Sequence, residues 1–319
     1  MRIAFVGKGG SGKTTTAVLF AQYVKNLGKN VVLVDADLNM HTPVLLGHLE
    51  EIPLEKHISH PASVRVIQTY LKGDNDRIKS LQEFRKTTPP TKKSRQISQI
   101  AHTDIFKDFI TTIEGIHVMV VGTYQEDGIG TACYHNNLSI FENILTHLTD
   151  TDEEILVADM VAGIDSFANT LHTQFDVIVL VVEPTLRGIG VYHQFDELSK
   201  QANTNSHIVV IGNKVQSEKD EAFLRLHIQK EMLLGFIKNS DYIREVDQEG
   251  GILDISRLET KNMHVFDVIF SKLIESKSNQ NERYDKLLKL HRQYVSQASI
   301  KERFGDLTLQ IDPEYSPTS

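Results

Sequence analysis

From Ile3 to Thr14 the chain reads I-A-F-V-G-K-G-G-S-G-K-T. Ile3 to Val6 is a short apolar run of the kind that forms a buried strand. It leads directly into Gly7–Thr14, which satisfies G-x-x-x-x-G-K-[ST]. The chemistry of such a stretch is specific. Gly9, Gly10 and Gly12, with Ser11 between them, let the backbone turn until its N–H groups converge on phosphate oxygens. A helix is expected from Thr15 to Leu27, with Val18, Ala21 and Val24 at helical spacing and a stop at Gly28. Its positive N-terminal end adds to the anion site. In this motif Lys13 reaches the β and γ phosphates, the Thr14 hydroxyl takes Mg²⁺, and Thr15 is placed for the α phosphate. Lys8 is a second lysine inside the loop. It is either a surface charge or a finger that reaches the nucleotide of a neighbouring subunit and stabilises charge during phosphoryl transfer.

Further runs extend the pattern. Val31 to Val34, His117 to Val121, Ile155 to Ala158, Val177 to Val182 and Ile208 to Ile211 are rich in Val and Ile and do not alternate strictly. Strands covered on both faces read this way. With helical stretches between them, the expectation is an α/β fold: a mostly parallel, doubly wound sheet with helices on both faces. Residues 1–275 form this domain. Residues 55–109 interrupt the rhythm and read as a helical insert with an exposed Pro89-Pro90 turn. Its basic cluster, Lys92, Lys93 and Arg95, is a solvated loop or a docking patch for an acidic partner. Residues 276–319 read as an appended helical extension, with one helix from Glu282 to Phe304 that packs on the body or on a partner chain, and a frayed, flexible polar tail from Asp312.

The bulk numbers limit the function. With 34 basic and 42 acidic residues the net charge is −8, which argues against nonspecific nucleic-acid binding as the main task. The one cysteine, Cys133, cannot form an internal disulfide. The N-terminus enters the phosphate loop at once and leaves no room for a signal peptide. No apolar run is long enough to span a membrane. A cytoplasmic location is the expectation.

The stretch K-G-G-S-G-K-T-T, with Lys8 in place, resembles the deviant Walker A motif of the MinD/ParA/nitrogenase-iron-protein class. Val34-Asp35-Ala36-Asp37 stands where that class has switch I. Asp159-Met160-Val161-Ala162-Gly163-Ile164 resembles its Walker B aspartate followed by switch II, and Gly212-Asn213-Lys214 ends a strand where the class reads adenine. The resemblance implies ATPases that sandwich two ATP molecules in a homodimer. It implies that Asp159 holds Mg²⁺ through water, that Asp35 supports the same shell, and that Asp37 orients the attacking water. It further implies that Gly163 registers the γ phosphate and Asn213 bonds the adenine edge, with the backbone from Phe236 to Lys238 flanking the base. Turnover is expected to be slow and dependent on a second chain or a partner.

Within the class, D-M-V-A-G-I-D at 159–165, V-V-E-P-T-L-R-G at 181–188 and G-T-A-C-Y-H-N-N-L at 130–138 resemble CooC-type nickel-insertion ATPases. Where those carry a C-x-C pair, this chain has Thr131 and Cys133. A dimer therefore offers two thiolates in place of four. Two Cys133 thiolates, with both His135 side chains, form a candidate S₂N₂ site for Ni²⁺ or Zn²⁺ at the dimer interface. A reduced thiol without a task and an intersubunit disulfide are the other readings. His57 and His60 are three apart, with no Cys or carboxylate cluster beside them, and no metal is assigned there. Three functions remain: a nucleotide switch for metallocentre maturation of a client enzyme, a ParA/MinD-like positioning or partition ATPase without a metal, or a regulatory scaffold that binds nucleotide but barely hydrolyses it.

Overall fold

The computed structural model describes residues 1–123, 137–162, 170–201 and 207–317. Eight strands form one sheet: β1 (Arg2–Gly7), β2 (Asn30–Ala36), β3 (Ile110–Ile113), β4 (Ile116–Val120), β5 (Glu154–Met160), β6 (Val177–Val182), β7 (Ile208–Val215) and β8 (Leu233–Lys238). Their order is β3-β4-β2-β5-β1-β6-β7-β8. Every pairing is parallel except β3 with β4. That exception is a hairpin whose two turn residues, Glu114 and Gly115, both have positive φ (48° and 77°), the combination a two-residue turn of matching twist requires.

The helices lie on both faces. On one face Ile3 and Phe5 pack with Val18 and Leu19 of α1 (Lys13–Asn26) and with Phe266 and Ile269 of α8 (Thr260–Glu275). On the other, Ala4 and Val6 join a core with Phe141 and Ile144 of α4 (Leu138–His147) and with Tyr192 and Phe195 of α5 (Leu186–Gln201). Adjacent β1 residues thus feed opposite cores, which is why the central strands carry no polar alternation. Between them lie two earlier helices, α2 (Thr42–Leu45) and α3 (Pro61–Lys72), and two later ones, α6 (Glu218–His227) and α7 (Asp241–Glu249).

The C-terminal segment is built into the body. It forms two helices, α9 (Gln280–Val295) and α10 (Ala298–Phe304), because Gln297 takes an extended conformation between them. The single helix expected from Glu282 to Phe304 is therefore broken. The insert is also differently disposed from the expected exposed turn: Thr87, Thr88, Pro89 and Pro90 are all buried beneath the extension. The Thr87 hydroxyl lies 3.1 Å from His291 Nδ1, and His291 Nε2 lies 3.1 Å from the Leu307 carbonyl. A neutral ring donating from Nε2 and accepting at Nδ1 satisfies both, and burial holds its pKa below the usual value. Thr88 donates to Gln310 Oε1 at 2.9 Å. The polar tail is tied down too, since Lys92 meets Asp312 and Glu314 (both 3.2 Å) and Tyr315 packs edge-on to Tyr284. The basic cluster is engaged within the chain, with Lys93 on Asp76 at 2.7 Å and Arg95 over the Tyr70 ring.

A buried ionic cluster fastens α9 to the start of the sheet. Arg2 donates from Nε to Asp150 Oδ1 (2.7 Å) and from its backbone N–H to Asp176 Oδ2 (2.8 Å). Arg283 bridges the same two carboxylates, reaching Asp176 Oδ1 at 2.5 Å and Asp150 Oδ2. Burial alone would raise the Asp150 pKa, but the Arg2 and Arg283 guanidiniums outweigh it and hold it at about 2. This folded value lies below the unfolded value of about 3.9. The stability it contributes is complete above the unfolded value and is lost as pH falls through the folded one. Acidification from about pH 4 to about pH 2 is expected to remove about 2 kcal/mol at this residue. Urea unfolding against pH, compared between the native chain and Asp150→Asn, measures it. An identical acid limb in both would remove the assignment.

Candidate nucleotide site

The phosphate loop joins β1 to α1 at the centre of the sheet, with β5 on one side and β6 on the other. Gly10 and Gly12 have φ of 79° and 90°, where other residues are strained. Gly12 is also the N-cap of α1, and no side chain caps that helix. Its first N–H groups are thus left for an anion. A Cβ on Gly12 would lie 2.2 Å from Asn213 Nδ2, which itself donates to the Ser11 carbonyl at 2.7 Å. Gly12→Ala is therefore expected to lower nucleotide affinity by more than about 100-fold, through both the strained φ and the displaced Asn213. Calorimetric titration with ADP checks this. Affinity within about threefold of the native chain would contradict it.

The acidic residues converge because β2 and β5 are neighbours with Asp35 in register with Asp159. Lys13 Nζ contacts Asp37 Oδ2, lies 3.4 Å from Asp159 Oδ1, and is 3.4 Å from the Thr14 hydroxyl. Burial alone would lower the Lys13 pKa, but Asp159 and Asp37 outweigh it and keep the ammonium above its usual value. Asp159 is fully buried, and burial raises its pKa, with Asp35 adding and Lys13 opposing. Its Oδ2 is buried and has no hydrogen-bond partner among the described residues. An orphaned carboxylate oxygen beside a threonine hydroxyl is a hard-oxygen set that fits Mg²⁺, and a nearby dication would favour the ionised form of Asp159.

The Asp35 carboxylate is engaged by the chain itself. Its Oδ2 accepts from the Thr42 N–H (2.9 Å) and hydroxyl (2.8 Å), and its Oδ1 from the Asp37 N–H (3.2 Å). It pins the loop that carries Asp37. Asn213 lies with its amide on the phosphate loop, and its Oδ1 accepts from the Lys214 N–H. Thr15 and Asn213 both line a pocket of about 250 Å³ that continues from the loop to Ile237, Lys238, Arg244 and Asp247. Its position beside the loop, its size and its mixed lining suit a nucleoside. Arg244 and Asp247 on α7 carry no motif; the Ser240 cap that starts their helix was their only sequence signal. Lys8 has no side-chain partner among the described residues, and Gly9 sits near Ala162. Gly163, Thr131, Cys133 and His135 lie outside the described residues. Among the described residues no group of three or more His, Cys, Asp or Glu side chains is arranged for a metal, and no helix is long and apolar enough to cross a membrane.

A glycine-rich loop between a central parallel strand and its helix, with a lysine held by two strand-end aspartates, defines a P-loop nucleotide-binding protein. Residues 3–253 match the CobQ/CobB/MinD/ParA nucleotide-binding domain, and the chain belongs to that family. It is 26% identical over 259 residues to the carbon monoxide dehydrogenase accessory protein CooC of Rhodospirillum rubrum, covering 78% of this chain and 88% of that one. It is 24% identical over 268 residues to an uncharacterized ATP-binding protein of Methanocaldococcus jannaschii, covering 82% of this chain and 98% of the other. Among solved structures, MinD of Pyrococcus horikoshii complexed with Mg-ADP superposes with a TM-score of 0.52 at 20% identity, covering 84% of this chain and 93% of that one. A chain of the MinC:MinD cell division protein complex of Aquifex aeolicus gives a TM-score of 0.54 at 15% identity, covering 87% of this chain and 96% of that one.

Proposed function

We propose that the chain is an ATP-hydrolysing switch that works as a homodimer. The observation that carries this is the placement of Lys13 between Asp37 and Asp159 at the mouth of the phosphate loop. In this reading ATP lies with its base in the pocket beside Asn213 and its phosphates on the amides of Gly9 to Thr15. Lys13 draws charge from the β and γ phosphates, exchanging part of its contact with Asp37. Asp37, so released, orients a water towards the γ phosphorus. The water oxygen bonds to phosphorus, the bridging P–O bond breaks, and ADP leaves with that electron pair. Thr14 and Asp159 would hold Mg²⁺, which neutralises charge on the β and γ oxygens. Lys8, free to extend, serves the partner subunit's nucleotide, and Gly163 registers loss of the γ phosphate.

The finer reading is that this switch serves metallocentre maturation in a client enzyme. It is supported by the similarity to CooC and by Cys133 in the loop where CooC-type proteins carry their cysteines. The metal here is cargo, Ni²⁺ or Zn²⁺, shared by two subunits. Metal content of the purified chain, titrated with Ni²⁺ and Zn²⁺ in ADP and in ATP beside Cys133→Ser, tests it. One metal per two chains, lost in Cys133→Ser and altered by nucleotide, is expected. No metal above background in either nucleotide would leave a metal-free switch of the ParA/MinD kind.

A further inference from the structure

Lys214 is one of three non-glycine residues with positive φ among the described residues, at 58°. It sits where the β7–β8 register shifts, between Gly212 and Val215. A lysine gains nothing intrinsic from the left-handed region, so something must hold it there. Its side chain supplies the reason. Nζ donates to the Gly10 carbonyl at 2.6 Å and to Glu183 Oε1 at 2.9 Å. The residue before it, Asn213, grips the next carbonyl of the same loop, that of Ser11. Two consecutive residues thus hold two consecutive carbonyls. In a tight turn, a carbonyl drawn outward leaves the adjoining amides turned inward, which is the arrangement a phosphate needs. Glu183 is itself fixed. Gly188 in the first turn of α5 approaches so closely that a Cβ there would lie 2.4 Å from the Glu183 carbonyl.

We propose that Lys214, steered by Glu183 and lying at the rim of the same pocket as Asn213, is a positioning residue that holds the phosphate loop in its ligand-ready shape. This rests on the nucleotide reading of the site and adds a pair that touches neither phosphate nor metal. The ion pair is partly exposed, with side chains 49% and 22% accessible, so as a surface salt bridge it would matter little to folding. Its value lies in the bond to Gly10, because an ordered loop spares bound nucleotide the cost of ordering it.

The test uses the full chain, with ADP and ATP binding measured beside steady-state phosphate release. Lys214→Gly removes the clamp and relieves the positive φ. It is expected to raise Kd for both nucleotides by about tenfold, to leave kcat at saturation within about twofold, and not to lower the melting temperature. Lys214→Arg, which keeps a cation of similar reach, is expected to stay within about threefold of the native Kd, and Glu183→Gln to fall between. A purely structural role would give the reverse pattern, a lower melting temperature with unchanged Kd, and would overturn the proposal. So would a loss confined to kcat. If the folded native chain bound neither ADP nor ATP, the nucleotide reading itself would fall, and the native control alone would reveal it.

Discussion

Lys13→Ala is expected to lower kcat/KM for ATP by about 1,000-fold or more, equivalent to about 4 kcal/mol of lost transition-state stabilisation. The side chain is almost wholly buried, and its ammonium is held by carboxylates from two neighbouring strands. Lys214 cannot take over, since its ammonium is already committed to Gly10 and Glu183. Phosphoryl transfer depends on charge placed beforehand where it develops. Removing this cation also leaves Asp35, Asp37 and Asp159 together without it, so the variant must be shown to be folded. Phosphate release together with a thermal melt provides both readouts. A folded variant within about threefold of the native rate would sink the assignment of Lys13 to the chemistry.

Arg283→Ala is expected to cost about 3–5 kcal/mol of folding stability. The change would leave buried Asp150 with Arg2 and the N-terminal ammonium, and buried Asp176 with the backbone N–H groups of Arg2 and Ser278 in place of an ion pair. For a chain of this size that corresponds to a melting temperature lower by roughly 5 °C. Arg283→Lys keeps the charge but loses the fork that bridges both carboxylates, so an intermediate loss is expected. The cluster lies at the N-terminal ends of the strands and the phosphate loop at their C-terminal ends, roughly 20 Å apart along β1. Nucleotide affinity well below the melting range should therefore be unchanged. Urea unfolding decides the matter: a loss below about 1 kcal/mol would make Arg283 an ordinary surface pair.

What the sequence revealed followed from local chemistry. A phosphate loop must be glycine-rich and must stand between strand and helix, so Gly7–Thr14 located both the central strand and α1. Strands buried on two faces are apolar throughout, so β1, β2, β4, β5, β6 and β7 were legible in their apolar runs. The edge strands were not. β3 carries Thr111 and Thr112 toward partly open surface, and β8 is only partly covered, so neither makes a clean apolar run. The extension misled for a different reason. Its helix pattern was visible, but the partners of Arg283 and His291 lie more than a hundred positions earlier, and no periodicity encodes such distances. The burial of Pro89-Pro90 is invisible in the sequence because their cover comes from residues more than 200 positions later, whereas Lys92 is exposed as a basic loop residue should be. The roles of Asp35 and Asn213 depended on which neighbour their oxygens and amide found, and motif order cannot say that.

The bridge made by Arg283 bears on how the protein is made. Residues 1–275 carry the whole sheet and the whole phosphate loop, yet until position 283 is synthesised Asp150 has one of its two guanidinium contacts and Asp176 has only backbone N–H donors. A chain emerging from the ribosome N-terminus first can assemble its strands early but holds an electrostatically incomplete floor until α9 arrives. Any product cut short before α9 would remain a loose, readily degraded particle even with its nucleotide loop intact. Helix α9 thus acts as a proofreading mark on completeness, separating chains that reach it from shorter fragments at the end of the sheet farthest from the phosphate loop.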